Sequence, residues 1–281
     1  MSFQTEKYKL SDELKALDHQ VDLGKGKPFP NSNFLYLIVG GVGSGKTSLA
    51  LNLLKIKKED GGFRKAFNKI YVVSPTAKYD DKWDKLIQEV DDEGNYYTEC
   101  NDEVIGEIID KLEEFNEEWK DDPKKNKAGR ALGGTKPSSL VIIDDCIDAF
   151  SKRQKNKLNK LILTLRHLKT SVWILSQKLN AIPQLIRAQA RCISFFPTLN
   201  RREEETLINE INIDDKMFKK LIDYAGNGDD HPFLHCKLGE GKPIFYRKFD
   251  KIILDLSRQV PRYDVAGQDA LRAYVPKAEL E

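Results

Sequence analysis

The sequence predicts an α/β fold, a mainly parallel β-sheet sandwiched by helices, and three observations predict it. Five short, continuous apolar runs recur at residues 34–39, 70–73, 140–143, 172–175 and 192–196, the pattern of strands covered on both faces. Helix-like segments alternate with them, which makes consecutive strands parallel and joined by crossovers. A glycine-rich turn joins the first run to the first helix.

The elements follow in order. Residues 1–32 are polar, with Pro28 and Pro30 near their end, and read as an N-terminal extension with one short helix. Residues 34–39, Phe-Leu-Tyr-Leu-Ile-Val, form the first strand, and residues 47–57 a helix with apolar positions at Leu49, Leu53, Leu54 and Ile56. After the strand at 70–73, residues 83–90 and 104–119 read as helices. The stretch 120–139, rich in Lys, Gly and Ser, reads as a mobile loop before the central strand at 140–143. A helix at 158–168 precedes the strands at 172–175 and 192–196. Residues 203–224 hold one or two helices, and 233–238 and 244–249 a terminal pair of strands. The domain reading is therefore an extension over 1–32, a core over 33–200, a continuation of the same domain over 201–257, and a tail over 258–281. There is no internal repeat.

Composition narrows the class. A chain of 281 residues has no difficulty burying a core, and its net charge of +2 comes from 46 basic and 44 acidic residues, so local charge matters more than the total. Cys100, Cys146, Cys192 and Cys236 are dispersed without a C-x-x-C pair, as reduced, buried thiols are. His231, His235 and Cys236 are close in sequence, but no second ligand pair at zinc spacing accompanies them. The N-terminus lacks a signal-peptide apolar stretch and no long apolar run occurs, so a soluble chain is expected.

Gly40-Gly41-Val42-Gly43-Ser44-Gly45-Lys46-Thr47 satisfies G-x-x-x-x-G-K-[ST] between a buried strand and a helix, the context in which that spacing binds phosphate. Glycines let backbone N–H groups curl around the phosphates at the positive end of the helix. Lys46 reaches the β and γ oxygens, the Thr47 hydroxyl ligates Mg²⁺, and Ser48 completes the nucleotide-binding set. Leu140-Val-Ile-Ile143 then delivers Asp144 and Asp145 to a strand's carboxyl end. Asp144 is expected to hold the metal through water, and Asp145 to orient or deprotonate the attacking water, unless it only caps a following helix. Gln177 ends the strand Ser171-Val-Trp-Ile-Leu-Ser176 and is placed to sense the γ-phosphate, whereas Trp173 is a core aromatic. Arg187 and Arg191 precede the next strand. Either is in reach of a nucleotide, this chain's own or a neighbouring subunit's as an arginine finger, or is a plain surface arginine.

With these motifs in this order, the chain resembles the genome-packaging ATPases of poxviruses, other large DNA viruses and virophages, within the FtsK–HerA superfamily of DNA translocases. The resemblance covers residues 34–196. Its more specific features are Ile70-Tyr-Val-Val-Ser-Pro-Thr76, the pair Asp144-Asp145, and the run from Arg166 to Gln177. The cellular relatives carry a glutamate where this chain has Asp145, a shorter side chain for water activation. The resemblance implies a RecA-like core and ATP hydrolysis with Mg²⁺. It further implies a homo-oligomeric ring, pentameric or hexameric, that drives double-stranded DNA into a preformed viral capsid or portal vertex, located in the host cytoplasm at the assembly site or with the virion. The absence of membrane segments and of a long N-terminal region speaks against chromosome segregation at a septum.

Residues 151–170, SKRQKNKLNKLILTLRHLKT, hold seven Lys or Arg and no acid. Lys152, Arg153, Lys155, Lys157 and Lys160 are the candidates for contacts to DNA phosphates, which need no sequence reading, and the loop 124–136 is a second candidate. A charge run of this kind is otherwise a solvated face. The acidic helix near 113–122 is expected to face away. The competing readings are a P-loop nucleoside or nucleotide kinase and a nucleotide-gated binding protein. A kinase has less use for the acid pair and the basic segment, and a GTP switch needs an Asn-Lys-x-Asp motif that is missing here.

Overall fold

All five residues of Leu35–Val39 (β1) are buried, so this strand must be covered on both faces and flanked on both edges. It is, in the computed structural model, which describes residues 28–30, 33–57, 62–121, 138–146, 156–227, 230–239 and 241–253. The further strands are Lys69–Val73 (β2), Tyr96–Tyr97 (β3), Ser139–Asp144 (β4), Thr170–Ser176 (β5), Ala190–Phe195 (β6), Leu234–Lys237 (β7), Ile244–Arg247 (β8) and Asp250–Lys251 (β9). They form one sheet in the order β3-β2-β4-β5-β1-β6-β7-β8-β9. The first six are mutually parallel, and β7, β8 and β9 add as antiparallel neighbours beyond β6. The fold class expected from the apolar runs is the one observed.

The helices are Lys46–Lys55 (α1), Asp84–Asp91 (α2), Asp102–Asp121 (α3), Asn156–Thr164 (α4), Gln184–Arg187 (α5), Arg201–Ile211 (α6) and Asp215–Gly226 (α7). The pattern at 203–224 resolves into two helices because Asn212 takes a left-handed conformation (φ 52°) and Asp214 caps the next helix, accepting from the N–H groups of Lys216 and Met217. The two-residue strand β3 was not expected from sequence.

One face of the sheet packs Tyr36 and Ile38 of β1, and Phe34 just before it, with Trp173 of β5 and with Ala50 and Leu53 of α1. Trp173 is in edge contact with Tyr36, Phe63 and Phe67, as a core aromatic. Phe29, assigned to the extension on sequence, is buried there among Phe34, Tyr36, Phe63 and His235. The tail over 258–281 and most of the extension lie outside the described residues.

The acidic helix does not face away from the basic segment. α3 and α4 pack together: Lys160 Nζ lies 3.7 Å from Glu113 Oε1, and Asn116 donates to the Leu168 carbonyl at 2.9 Å. Opposite charge on adjacent helices favours this pairing, which sequence distance concealed.

Candidate nucleotide site

In a parallel sheet the loops leaving the carboxyl ends of adjacent strands converge, and here three of them do. β1 lies between β5 and β6, and the contact continues past the strand ends, Gly40 N–H donating to the Ser176 carbonyl (3.1 Å) and Phe196 N–H to the Val39 carbonyl (2.8 Å). β4 pairs with β5 so that Asp144 lies opposite Leu175. The topology thus gathers the turn after β1, the acids after β4 and Gln177 after β5.

The turn is built as the motif requires. A Cβ on Gly40 would fall 2.6 Å from Ser44 Oγ and 2.7 Å from Phe196 Cβ, so only glycine fits where the chain leaves the sheet. Gly45, the residue before α1, has φ 103°, a conformation that glycine adopts without penalty. The start of α1 therefore presents unpaired N–H groups toward the loop. Lys46 Nζ donates to the carbonyls of Gly40 (2.8 Å) and Gly41 (2.9 Å), holding the ammonium over the turn. Val42, at the tip, is strongly exposed.

Asp144 is buried, and that burial, with the charge of Asp145 as the second cause, pushes its carboxyl up to about 7, against the pull of the Lys46 ammonium. Burial likewise lowers Lys46, with Asp144 and Asp145 opposing. Two acids and one ammonium leave negative charge in excess, which a divalent cation relieves. Thr47 and Asp144 supply hard oxygen donors, a set that fits Mg²⁺. Gln177 Nε2 donates to Asp145 Oδ1 at 2.9 Å, joining two candidates that lie on different strand ends. Asp145 has φ 54°, a left-handed conformation uncommon for a residue with a side chain.

The arginines lie elsewhere. Arg187 Nε donates to Glu210 Oε1 at 2.6 Å, a second N–H goes to the Ile182 carbonyl, and both side chains of the ion pair are 14 % exposed. It braces α5 against α6 and is not a free cation at the phosphate site. Arg191 lies at the amino end of β6, where Ala190 pairs with Leu35, so it is more than about 10 Å down the strand from the turn. The sequence expectation that either could reach this chain's own nucleotide is therefore corrected. Lys157 lies exposed on α4, its stem over Gly106 of α3, and Lys160 faces Glu113. Lys152, Arg153, Lys155 and the loop 124–136 lie outside the described residues. The three residues weighed as metal-like do not meet: His231 contacts the phosphate-loop turn, whereas His235 and Cys236 are core residues on successive positions of β7. Among the described residues no group of three or more His, Cys, Asp or Glu side chains is placed to hold a metal ion.

A strand, a phosphate-binding turn, a helix and two strand-end acids on a parallel sheet define a P-loop nucleoside triphosphatase. The chain belongs to the family described as Poxvirus A32 protein, which matches residues 26–224, and is an ATPase. Among solved structures it is similar to the genome packaging NTPase B204 from Sulfolobus turreted icosahedral virus 2 in complex with ATP-gammaS (15 % identity, 76 % of this chain and 96 % of that chain, TM-score 0.47). It is also similar to the pCW3 conjugation coupling protein TcpA with ATPgS (13 %, 80 % and 62 %, TM-score 0.48). A third is the N-terminal domain of zonular occludens toxin from Neisseria meningitidis (16 %, 80 % and 88 %, TM-score 0.33). No curated protein matches. Among the described residues no helix is long and apolar enough to cross a membrane.

Proposed function

We propose that this chain is an ATP-driven translocase that moves double-stranded DNA into a viral capsid as a homo-oligomeric ring at the cytoplasmic assembly site. The observation that carries the reading is the joined pair Gln177 and Asp145 beside Asp144 at the mouth of the phosphate loop. A protein that only binds nucleotide has little use for a second acid held by a polar partner; a hydrolase uses both to place and deprotonate water. Membership of the A32 family supports packaging as the purpose of that hydrolysis.

In the mechanism, backbone N–H groups of residues 41–47 receive the phosphates, and Lys46 leaves the Gly40 and Gly41 carbonyls for the β and γ oxygens. Thr47 and Asp144 would hold Mg²⁺, which when bound offsets phosphate charge. Asp145 Oδ accepts the proton of the attacking water, and Gln177, in reach of Asp145, turns toward the γ-phosphate. Lys152, Arg153, Lys155 and Lys157 follow DNA phosphates without reading bases; Lys160, paired with Glu113, contributes less.

The test is DNA-stimulated ATP turnover together with binding to duplexes of unrelated sequence across a salt series. Each neutralised phosphate contributes about −0.9 to the log–log slope. Alanine at Lys152, Arg153, Lys155 and Lys157 should flatten the slope by up to about 3.6 units and weaken all sequences alike. An unchanged slope with unchanged stimulation would remove this segment as the DNA contact, and transfer of phosphate to a nucleoside acceptor would identify a kinase instead.

A further inference from the structure

His231 reaches the phosphate loop from the far end of the chain. It precedes β7, is exposed, and lies 187 residues from its hydrogen-bond partner: its Nδ1 is 3.0 Å from the carbonyl oxygen of Ser44. A carbonyl only accepts, so Nδ1 carries the proton and donates. The ring also lies against Gly45, where an added Cβ would meet His231 Cβ and Cγ at 3.3 Å.

The backbone of His231 carries a second sign. Its φ is 51°, in the left-handed region, although the next residue is Pro232 and a residue before proline prefers extended backbone. Such a conformation costs free energy and persists where the surroundings hold it, most often at functional sites.

We propose that His231 is a positioning residue for nucleotide binding, which fixes the Ser44–Gly45 peptide so that its N–H faces the phosphates. The inference rests on the ATPase reading and adds to it a residue from the segment that leads into β7. In a planar trans peptide the C=O and N–H point in opposite directions. With the Ser44 carbonyl held outward by Nδ1–H, the Gly45 N–H is turned away from His231, toward the hollow of the loop. Gly45 has no side chain to restrict that peptide, and its φ of 103° shows how far the backbone departs from ordinary residues there. Without the histidine the peptide is free to rotate, and the nucleotide must order it on binding. The cost falls equally on ADP and ATP, because both present phosphates to the loop. At saturation the loop is already ordered, so the chemical step is unaffected.

Isothermal titration of ADP and of a non-hydrolysable ATP analogue into wild type, His231→Ala, His231→Asn and His231→Gln tests this, with steady-state turnover measured in parallel. Alanine should weaken both nucleotides about tenfold, as loss of one well-placed hydrogen bond does, and leave kcat within about twofold. Asparagine should restore binding to within about threefold. Its Nδ2 stands where Nδ1 stood, and asparagine tolerates the left-handed conformation. Glutamine, whose donor lies one bond further out, should not. Equal binding by the alanine variant and wild type, or equal defects in the asparagine and alanine variants, would overturn the proposal while the ATPase reading stands. A wild-type chain that bound neither nucleotide would overturn both.

Discussion

Asp145 holds a left-handed backbone conformation (φ 54°) while its carboxylate accepts from Gln177 at 2.9 Å. Aspartate adopts that conformation at a cost, and here it redirects the chain as β4 ends, setting the second acid apart from buried Asp144. The two acids thus differ in setting, one buried near Lys46 and the other less buried beside Gln177, and on the proposed function the second is the one that meets the attacking water. Asp145→Asn keeps an oxygen for Gln177 and removes only the base, so we expect ATP binding to persist while phosphate release falls by about 10²- to 10⁴-fold. Lys46→Ala removes the ammonium that the loop carbonyls hold in place, and binding itself should fall at least about tenfold. Equilibrium binding of labelled ATP and single-turnover phosphate release separate the two. Wild-type hydrolysis by the asparagine variant would take Asp145 out of the role of base.

At the scale of elements, two polar contacts brace the C-terminal third of the described chain, beside the strand ladders that join it to the sheet. The first is the Arg187–Glu210 pair between α5 and α6, mostly buried on both sides. Removing one partner leaves the other charge half-stranded, so Arg187→Ala should cost roughly 2–4 kcal/mol in chemical denaturation. The double variant with Glu210→Ala should recover part of the loss, and a single variant as stable as wild type would show the brace to be idle. The second contact is a polar chain through the aromatic core. Tyr36 Oη lies 2.7 Å from Ser194 Oγ, Ser194 Oγ 2.9 Å from His235 Nδ1, and His235 Nε2 2.9 Å from the Pro28 carbonyl. Because the carbonyl only accepts, Nε2 carries the proton and Nδ1 accepts from Ser194. Burial pushes His235 down to about 4 from 6.5. The folded value lies below the unfolded one, so the stability this group confers is complete above pH 6.5 and is lost as pH falls toward 4. The loss is about 3 kcal/mol. Denaturation midpoints across that range should show the decline in wild type and a flatter profile in His235→Gln.

These elements also show what sequence could reveal. The six parallel strands include five that were legible because burial on both faces leaves only apolar residues. The sixth, Tyr96–Tyr97, is too short to carry a pattern. Asp144 and Gln177 were legible as candidates because each sits where such a strand ends, and Lys46 because the glycine-rich turn leads from β1 into α1; their convergence follows from parallel pairing. Strand order was not, since which strands a crossover skips depends on packing rather than on local spacing. Nor were the partners of Arg187 and His231, which come from α6 and from the turn after β1. The local pattern around an arginine contains no sign of a glutamate two elements away.

At the scale of the whole molecule, the position of Arg191 decides how a catalytic arginine could act. The parallel sheet places the phosphate loop at the carboxyl ends of its strands and Arg191 at the amino end of β6, near the Gly239 carbonyl (3.3 Å). The arginine and the nucleotide of one chain therefore lie at opposite ends of the same sheet, and no side chain spans that distance. If Arg191 stabilises developing charge on a γ-phosphate, the nucleotide belongs to another copy, which is the arrangement a ring provides. An arginine supplied in trans is worth about 10³ to 10⁵ in rate. Arg191→Ala should then be nearly inactive yet assemble and bind ATP, and Lys46→Ala should be inactive for want of nucleotide. Mixed in one assembly, the first contributes an intact phosphate loop and the second an intact arginine, so interfaces of one orientation become productive and turnover returns. Arg187→Ala, by contrast, should lose stability rather than gain activity by mixing, because its partner Glu210 is in the same chain. Full activity of Arg191→Ala alone, or mixtures with no recovery at any ratio, would assign the trans contact to another residue. Arg201, exposed at the start of α6 on the carboxyl side of β6, would be tested next by the same mixing.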